Sequence, residues 1–354
     1  MWPDTRLLDL FGVDLPIIQA PMAGASGPEM AIAVSEAGGL GSLPGAMLTP
    51  DTLAVEMGIV RQRTDRPVNI NFFCHRQPVE DPERWRRWEG TLKPYYDACG
   101  IEPRPPGPSR VPFDDAFCAE VEAHKPEVVS FHFGLPPEDL LRRVKATGAR
   151  IISTATTVAE AKHLAERGCD VIIAQGLEAG GHRGSFLSAD LAVQMGTLAL
   201  VPQIVDAVPV PVIAAGGIAD SRGVVACLAL GASAVQIGTA YLRCPESIIH
   251  SIYRDHLAQG GDTVVTNVFT GRPARGFVNR LVREVGPWRT DMPDFPLPAS
   301  ALGPLKAKAE ERGSNDFSSM WAGQAVGLCR EVPAAQLTHA LATEALQRIR
   351  GFAD

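Results

Sequence analysis

The sequence predicts an α/β protein, a parallel TIM (β/α)8 barrel with a small inserted subdomain over its mouth. Three observations predict it. Short Val/Ile-rich runs alternate with helix-like segments along most of the chain, the runs number eight, and glycine recurs where the next strand should begin. Several runs are continuously apolar, as parallel strands buried on both faces should be. Short turns between β and α segments point to one parallel sheet, and eight strands favour closure over an open doubly wound sheet.

The strand candidates lie at 16–19, 41–43, 68–72, 128–133, 150–154, 170–174, 210–214 and 234–237. Helical patterns fit between them at 28–37, 50–63, 137–147, 158–167, 189–205 and 221–230. Gly38, Gly148, Gly168 and Gly231 stand where those helices should end, and glycine adopts the left-handed cap conformation at little cost. The interval after the third strand, 81–125, carries Trp85, Trp88, a proline cluster at 103–108 and one or two helices, and should project as an insertion. After the eighth strand the pattern loosens. Residues 1–241 and 301–354 are expected to form the barrel, and 242–300 a small lid or substrate subdomain. Helical stretches at 305–312 and 333–351 should return to the barrel.

At 354 residues the chain has room for a barrel of about 250 residues plus such additions. Hydrophobic residues make up 45% and charged residues 21%, which excludes a largely disordered chain. A net charge of −7 argues against nucleic acid or an anionic membrane as the main partner. The seven cysteines form no C-x-x-C pair, so neither a disulfide framework nor a metal site is expected, and a reducing cytoplasm fits. The first residues, with Asp4 and Asp9, lack the apolar core of a signal peptide. The most apolar stretch, 191–219, is broken by Pro202, Asp206, Pro209 and Pro211, and reads as a buried helix and strand.

In such a barrel the chemistry sits at the C-terminal ends of the strands. The seventh strand ends in Ala214-Ala215-Gly216-Gly217-Ile218 and the eighth in Gln236-Ile237-Gly238-Thr239. Consecutive glycines let backbone N–H groups converge on an anion, and the loops after these two strands are where such barrels bind phosphate. Tight turns alone would also explain the glycines. The sixth strand runs into Gln175-Gly176-Leu177-Glu178-Ala179-Gly180-Gly181-His182-Arg183-Gly184, the densest polar signal in the chain. His182 can act as a base near neutral pH, and Gln175 offers donors and acceptors to a ring edge. Ala20-Pro21-Met22 after the first strand suits a wall against a flat ring. Asn71, inside an apolar strand, needs partners and could pair with a ring amide. His132 faces the same mouth, as a reacting group or as a structural one. Gly39-Leu40-Gly41-Ser42-Leu43-Pro44 starts like a dinucleotide fingerprint, but Pro44 replaces the third glycine, so a Rossmann site is not supported.

Taken with Ile18-Gln19-Ala20-Pro21-Met22-Ala23-Gly24, Asn71-Phe72-Phe73, His132-Phe133-Gly134 and Trp321-Ala322-Gly323-Gln324, these turns resemble the nitronate monooxygenases, formerly called 2-nitropropane dioxygenases, and within them the class I enzymes. The resemblance spans about 17–324. It implies a monooxygenase of the detoxifying kind, with FMN held noncovalently. The phosphate would lie near Gly216, Gly217, Gly238 and Thr239. Ala20, Pro21, Met22, Asn71, Gln175, Gly180, Gly181, Gln236 and Gln324 would surround the cofactor. It also implies His182 as the base or polar partner for the nitro compound, with His132 as a second catalytic candidate. The substrates implied are a small nitronate, such as propionate 3-nitronate, or a nitroalkane, together with O2; a homodimer is left open. Three rivals remain: an FMN-dependent NAD(P)H:quinone or enoyl-thioester reductase, a flavin-binding protein without turnover, and a flavin-free phosphate-binding barrel. A tyrosine-rich lid is not evident among the four tyrosines.

Overall fold

The computed structural model describes residues 1–103 and 110–352. Its eleven strands are β1 (Ile17–Gln19), β2 (Gly41–Pro44), β3 (Val68–Phe73), β4 (Val128–His132), β5 (Arg150–Ala155), β6 (Val171–Gln175), β7 (Gly181–His182), β8 (Val212–Ala215), β9 (Ala234–Ile237), β10 (Thr263–Thr266) and β11 (Ala274–Phe277). Eight of them form one parallel sheet in the order β1-β9-β8-β6-β5-β4-β3-β2. A parallel bridge between Ile18 and Leu40 joins its two ends, with Leu40 N–H donating to the Ile17 carbonyl at 2.9 Å. The sheet is therefore a closed (β/α)8 barrel, which leaves no unpaired edge.

The strands form where the apolar runs predict, because each is buried on both faces. All six residues of β3 and all four of β8 are buried. Ile18, Val128, Ile152, Val171, Ile173 and Ile213 fill the barrel interior near its base, closed from below by Leu7 and Phe11. The outer helices pack the opposite faces into a larger apolar layer.

Three helical expectations change. The helix expected at 189–205 runs over Thr197–Ala207, after a short 3-10 turn at Leu191–Val193. The cause is capping: the Glu178 carboxylate accepts the Thr197 N–H at 2.8 Å and its hydroxyl proton at 2.9 Å, so the helix starts there. The interval 81–125 divides between two layers. Helix Asp115–His124 belongs to the barrel wall, through Phe117, Cys118 and Val121. Helix Pro82–Cys99 instead packs Trp88, Leu92 and Tyr96 against Val268, Leu281, Leu302 and Leu305, forming a second core above the barrel. Most of the proline cluster of this interval lies outside the described residues. The C-terminal helices span Pro298–Glu311 and Ala334–Gly351, the first starting earlier than its apolar pattern suggests because Pro298 occupies its first turn. Among the described residues, no helix is long and apolar enough to cross a membrane.

β10, β11 and β7 form a three-stranded antiparallel sheet at the barrel mouth. Ala274 pairs with His182 and Arg275 with Gly181. The Gly-Gly-His turn that follows β6 is thereby tied to a segment nearly a hundred residues later.

Candidate active site

A cavity of about 340 Å³ opens at the C-terminal ends of the barrel strands. Its size lies in the range of small-molecule sites. Its wall includes Ala20, Pro21 and Met22 from the end of β1, Asn71 from β3, His132 from β4, Gln175 from β6, Gly216 and Gly217 after β8, and Gln236, Gly238 and Thr239 at β9. Gly180, Gly181 and His182 complete it. Of the residues singled out in the sequence, only Gln324 falls away: its side chain is exposed and its backbone N–H donates to the Glu178 carbonyl at 2.9 Å. The neighbouring Gly323 and Ala325 line the cavity in its place.

At the β8–β9 end the backbone is open. Gly216 and Gly217 take φ values of 112° and 71°, two left-handed residues in a row, which makes a concave turn that glycine adopts without strain. The N–H groups of Gly217, Gly238 and Thr239 donate to no protein acceptor among the described residues. A Cβ on Gly238 would stand 3.4 Å from the Ala20 Cβ and 3.6 Å from the Met22 Sδ, so the first turn closes over this end. Gly180 has a different reason for being glycine. A Cβ there would meet the Gly323 nitrogen at 2.5 Å and the Ala322 carbonyl carbon at 2.7 Å, so its bareness admits another backbone segment and not a ligand.

Two side-chain acceptors face the cavity without partners. Gln236 Oε1 is buried and unbonded. Asn71 spends its amide protons on the Ser130 hydroxyl, at 3.0 Å, and carbonyl, at 3.3 Å, leaving Oδ1 open. Gln175 is committed at both ends: Nε2 donates to the His182 carbonyl at 3.0 Å, and Oε1 accepts the Gly184 N–H at 2.8 Å. It braces the loop that carries His182. Beside it Arg183, 1% exposed, donates to the carbonyls of Gln175 at 2.7 Å and Gly176 at 2.6 Å and to Gln194 Oε1 at 2.8 Å. Burial lowers its pKa to about 10. The guanidinium thus locks the end of β6 to the loop through neutral oxygens.

His182 is 9% exposed, and its Nε2 lies 2.9 Å from Thr270 Oγ1. The Thr270 hydroxyl also reaches the Arg272 carbonyl at 3.4 Å. A carbonyl can only accept, so the hydroxyl donates there and accepts from His182 Nε2–H. That assignment leaves the lone pair on Nδ1, which has no partner among the described residues and borders the cavity. His132 is committed differently. Its Nε2 donates to the His182 carbonyl at 3.2 Å, and its Nδ1 accepts from the Thr154 hydroxyl at 3.1 Å. Both its nitrogens are engaged, so it positions His182 through the backbone.

The surroundings are aromatic and cationic. Phe73, Phe133, Phe295 and Trp321 pack around the two histidines and His75, the His182 ring standing 5.4 Å from both Phe295 and Trp321. Phe133 holds an unusual φ of 70°, which turns its ring beneath the Arg272 guanidinium at 4.1 Å. Burial drives the pKa of His182 well below its ordinary value, and the charges of Arg110, His132 and Arg272 push the same way. Burial takes His132 down to about 3 and His75 to about 4. All three imidazoles are therefore neutral at physiological pH. Thr270, Arg272, Phe295, Arg110 and Arg183 escaped the sequence reading. Arg183 had a signal, its place beside His182; the others sit in segments without a local motif.

Comparison with known proteins agrees with this fold. The nitronate monooxygenase family model matches residues 4–344. A nitronate monooxygenase from Pseudomonas aeruginosa is 42% identical over 349 residues, covering 96% of this chain and 98% of that protein. A crystal structure of nitroalkane oxidase from Streptomyces ansochromogenes superposes with a TM-score of 0.89 at 37% identity, covering 98% of this chain and 99% of that one. A mutant of FabK from Thermotoga maritima aligns with a TM-score of 0.73 at 30% identity, covering 98% of each chain.

Proposed function

The chain belongs to the nitronate monooxygenase family, and from that premise we propose that it is an FMN-dependent enzyme oxidising small alkyl nitronates, such as propionate 3-nitronate, with O2 to carbonyl compounds and nitrite. The cavity suits FMN. The free amides of Gly217, Gly238 and Thr239 would hold its phosphate. Ala20, Pro21 and Met22 would flank its ring, and the open acceptors Asn71 Oδ1 and Gln236 Oε1 would take ring N–H groups. Bound there, FMN would supply the electron acceptance and the reaction with oxygen that no side chain can provide.

The protein's own residues handle binding and the proton. A nitronate arrives already deprotonated and needs only to be held. A neutral nitroalkane must first lose its α-proton, and His182 Nδ1 is the group that takes it. Thr270 holds the Nε2–H tautomer, while His132 and Gln175 hold the residue through its carbonyl. The phenylalanine and tryptophan wall keeps water from the site, so the charges within it act at short range in a low dielectric. Residues 242–300, which bring Thr270, Arg272 and Phe295 to the mouth, would act as the lid over substrate.

The observation that carries this reading is the neutral, buried His182, with one nitrogen anchored and the other open to a glycine-lined cavity. The test is His182→Asn, assayed for nitrite release with a nitroalkane and with its own nitronate at saturation. Loss of about 10²–10⁴-fold on the nitroalkane alone is expected. An unchanged nitroalkane rate would overturn the base role.

A further inference from the structure

Two guanidinium groups stand in or beside the aromatic wall with no ion pair to a carboxylate among the described residues, although Glu160 acts on Arg272 at longer range. Arg110 lines the cavity, and among the described residues its side chain reaches only the Met47 Sδ, at 3.7 Å. No acid contributes to its electrostatics, which are dominated by burial alone. The segment just before it, residues 104–109, reads Arg-Pro-Pro-Gly-Pro-Ser and contains no carboxylate. Arg272 is stacked on Phe133, and its Nη1 is buried without a partner. Lys306, also on the cavity wall, has Glu310 at 3.9 Å to offset it. Arg110 is thus a cavity-lining cation whose charge meets no anion among the described residues.

A partly desolvated cation without a counter-ion is costly, and a bound anion relieves that cost. The three neighbouring histidines are neutral, so the anion must come from the ligand. Arg110 is also offset from the proton-handling centre. It makes no hydrogen bond to His182, although its charge is felt there. Its backbone carbonyl is fixed by His75 Nε2 at 3.1 Å, and Phe295 packs on both the His75 and the His182 ring, at 4.9 Å and 5.4 Å. Arg110 and His182 line the same cavity, so a substrate held with its reacting carbon at His182 Nδ1 has a cation available for a second group.

We propose that Arg110 is a specificity-determining residue of this cavity, pairing with a carboxylate on the tail of the substrate and so favouring nitronates that carry a second negative charge. This rests on the nitronate reading above. Arg can grip a carboxylate with two parallel hydrogen bonds, which a neutral tail cannot return.

The test compares the native enzyme with Arg110→Gln and Arg110→Lys on propionate 3-nitronate and on butyl nitronate, whose tail is uncharged. For Arg110→Gln, kcat/KM on propionate 3-nitronate should fall by about 10- to 100-fold, mostly through KM, while butyl nitronate changes by less than about 3-fold. Arg110→Lys should recover part of the loss. Equal losses on both substrates, or no loss on either, would overturn the proposal. If the native enzyme turned over neither nitronate, the functional reading would fail instead. Calorimetric titration with succinate would then decide the subsite: binding that Arg110→Gln abolishes upholds it, and binding absent from the native protein or indifferent to the substitution removes it.

Discussion

Replacing Thr270 with valine tests how the protein chooses the reactive nitrogen of His182. Valine keeps the shape of threonine and removes the hydroxyl that receives His182 Nε2–H at 2.9 Å. The site is buried, with His182 9% and Thr270 3% exposed, so water does not replace the lost partner. A buried donor deprived of its acceptor costs about 1–3 kcal/mol. The imidazole avoids that cost by moving its proton to Nδ1, which abolishes the lone pair facing the cavity. Converted at about 1.4 kcal/mol per tenfold, the tautomer shift corresponds to roughly 5- to 150-fold in any step that needs the Nδ1 lone pair. The assay is oxygen consumption with nitroethane and with ethyl nitronate, at fixed pH and saturating substrate. Nitroethane turnover should fall by that factor, with ethyl nitronate within about 3-fold of the native rate. Equal losses on both, or no loss on nitroethane, would refute the Nδ1 assignment.

Further outcomes follow from burial and packing. His132 titrates near 3 in the folded chain and near 6.5 when unfolded, and His75 shifts the same way to about 4. Below pH 6.5 the unfolded chain takes up protons that the folded one refuses, so stability is full above that pH and falls as the pH drops. The loss is about 1.4 kcal/mol per pH unit per histidine, or about 2 kcal/mol for His132 at pH 5. Thermal unfolding at pH 7.5 and 5 should show a fall in Tm that His132→Asn diminishes; an undiminished fall would assign it to other groups. Gly180→Ala drives a methyl onto backbone at 2.5 Å and should cost about 1–3 kcal/mol in unfolding free energy. Gly58→Ala, inside helix Pro50–Arg63 with nothing within 4 Å of the new methyl, should stabilise the protein by up to about 1 kcal/mol. If both variants melted alike, the packing argument for Gly180 would fail.

The barrel was legible because parallel strands are buried on both faces, and such burial writes itself as uninterrupted Val/Ile runs. The 189–205 helix was misplaced because its start depends on Glu178, nineteen residues before Thr197, and no local pattern announces that contact. The glycine-rich turns after β6, β8 and β9 were readable as a site because glycines gather at strand ends, and Gly181, Gly216 and Gly217 among them take positive φ. Their individual reasons were not: Gly180 admits the Gly323 backbone, and Gln175 braces a loop with both ends of its amide. Thr270 and Arg272 reach His182 only because β11 pairs with β7, a long-range match that periodicity cannot reveal. Gln324 looked like a cofactor contact from its neighbours in sequence, yet its side chain points to solvent while Gly323 beside it lines the cavity.

The central claim is that this cavity holds FMN for use by a nitronate and not by a nicotinamide. The measurement is the visible spectrum of the purified protein, mixed without oxygen first with propionate 3-nitronate and separately with NADPH. The expected result is a yellow protein with one FMN per chain, whose flavin absorbance changes promptly with the nitronate and stays unchanged with NADPH. Rapid bleaching by NADPH with indifference to the nitronate would contradict it and assign the same barrel to a reductase.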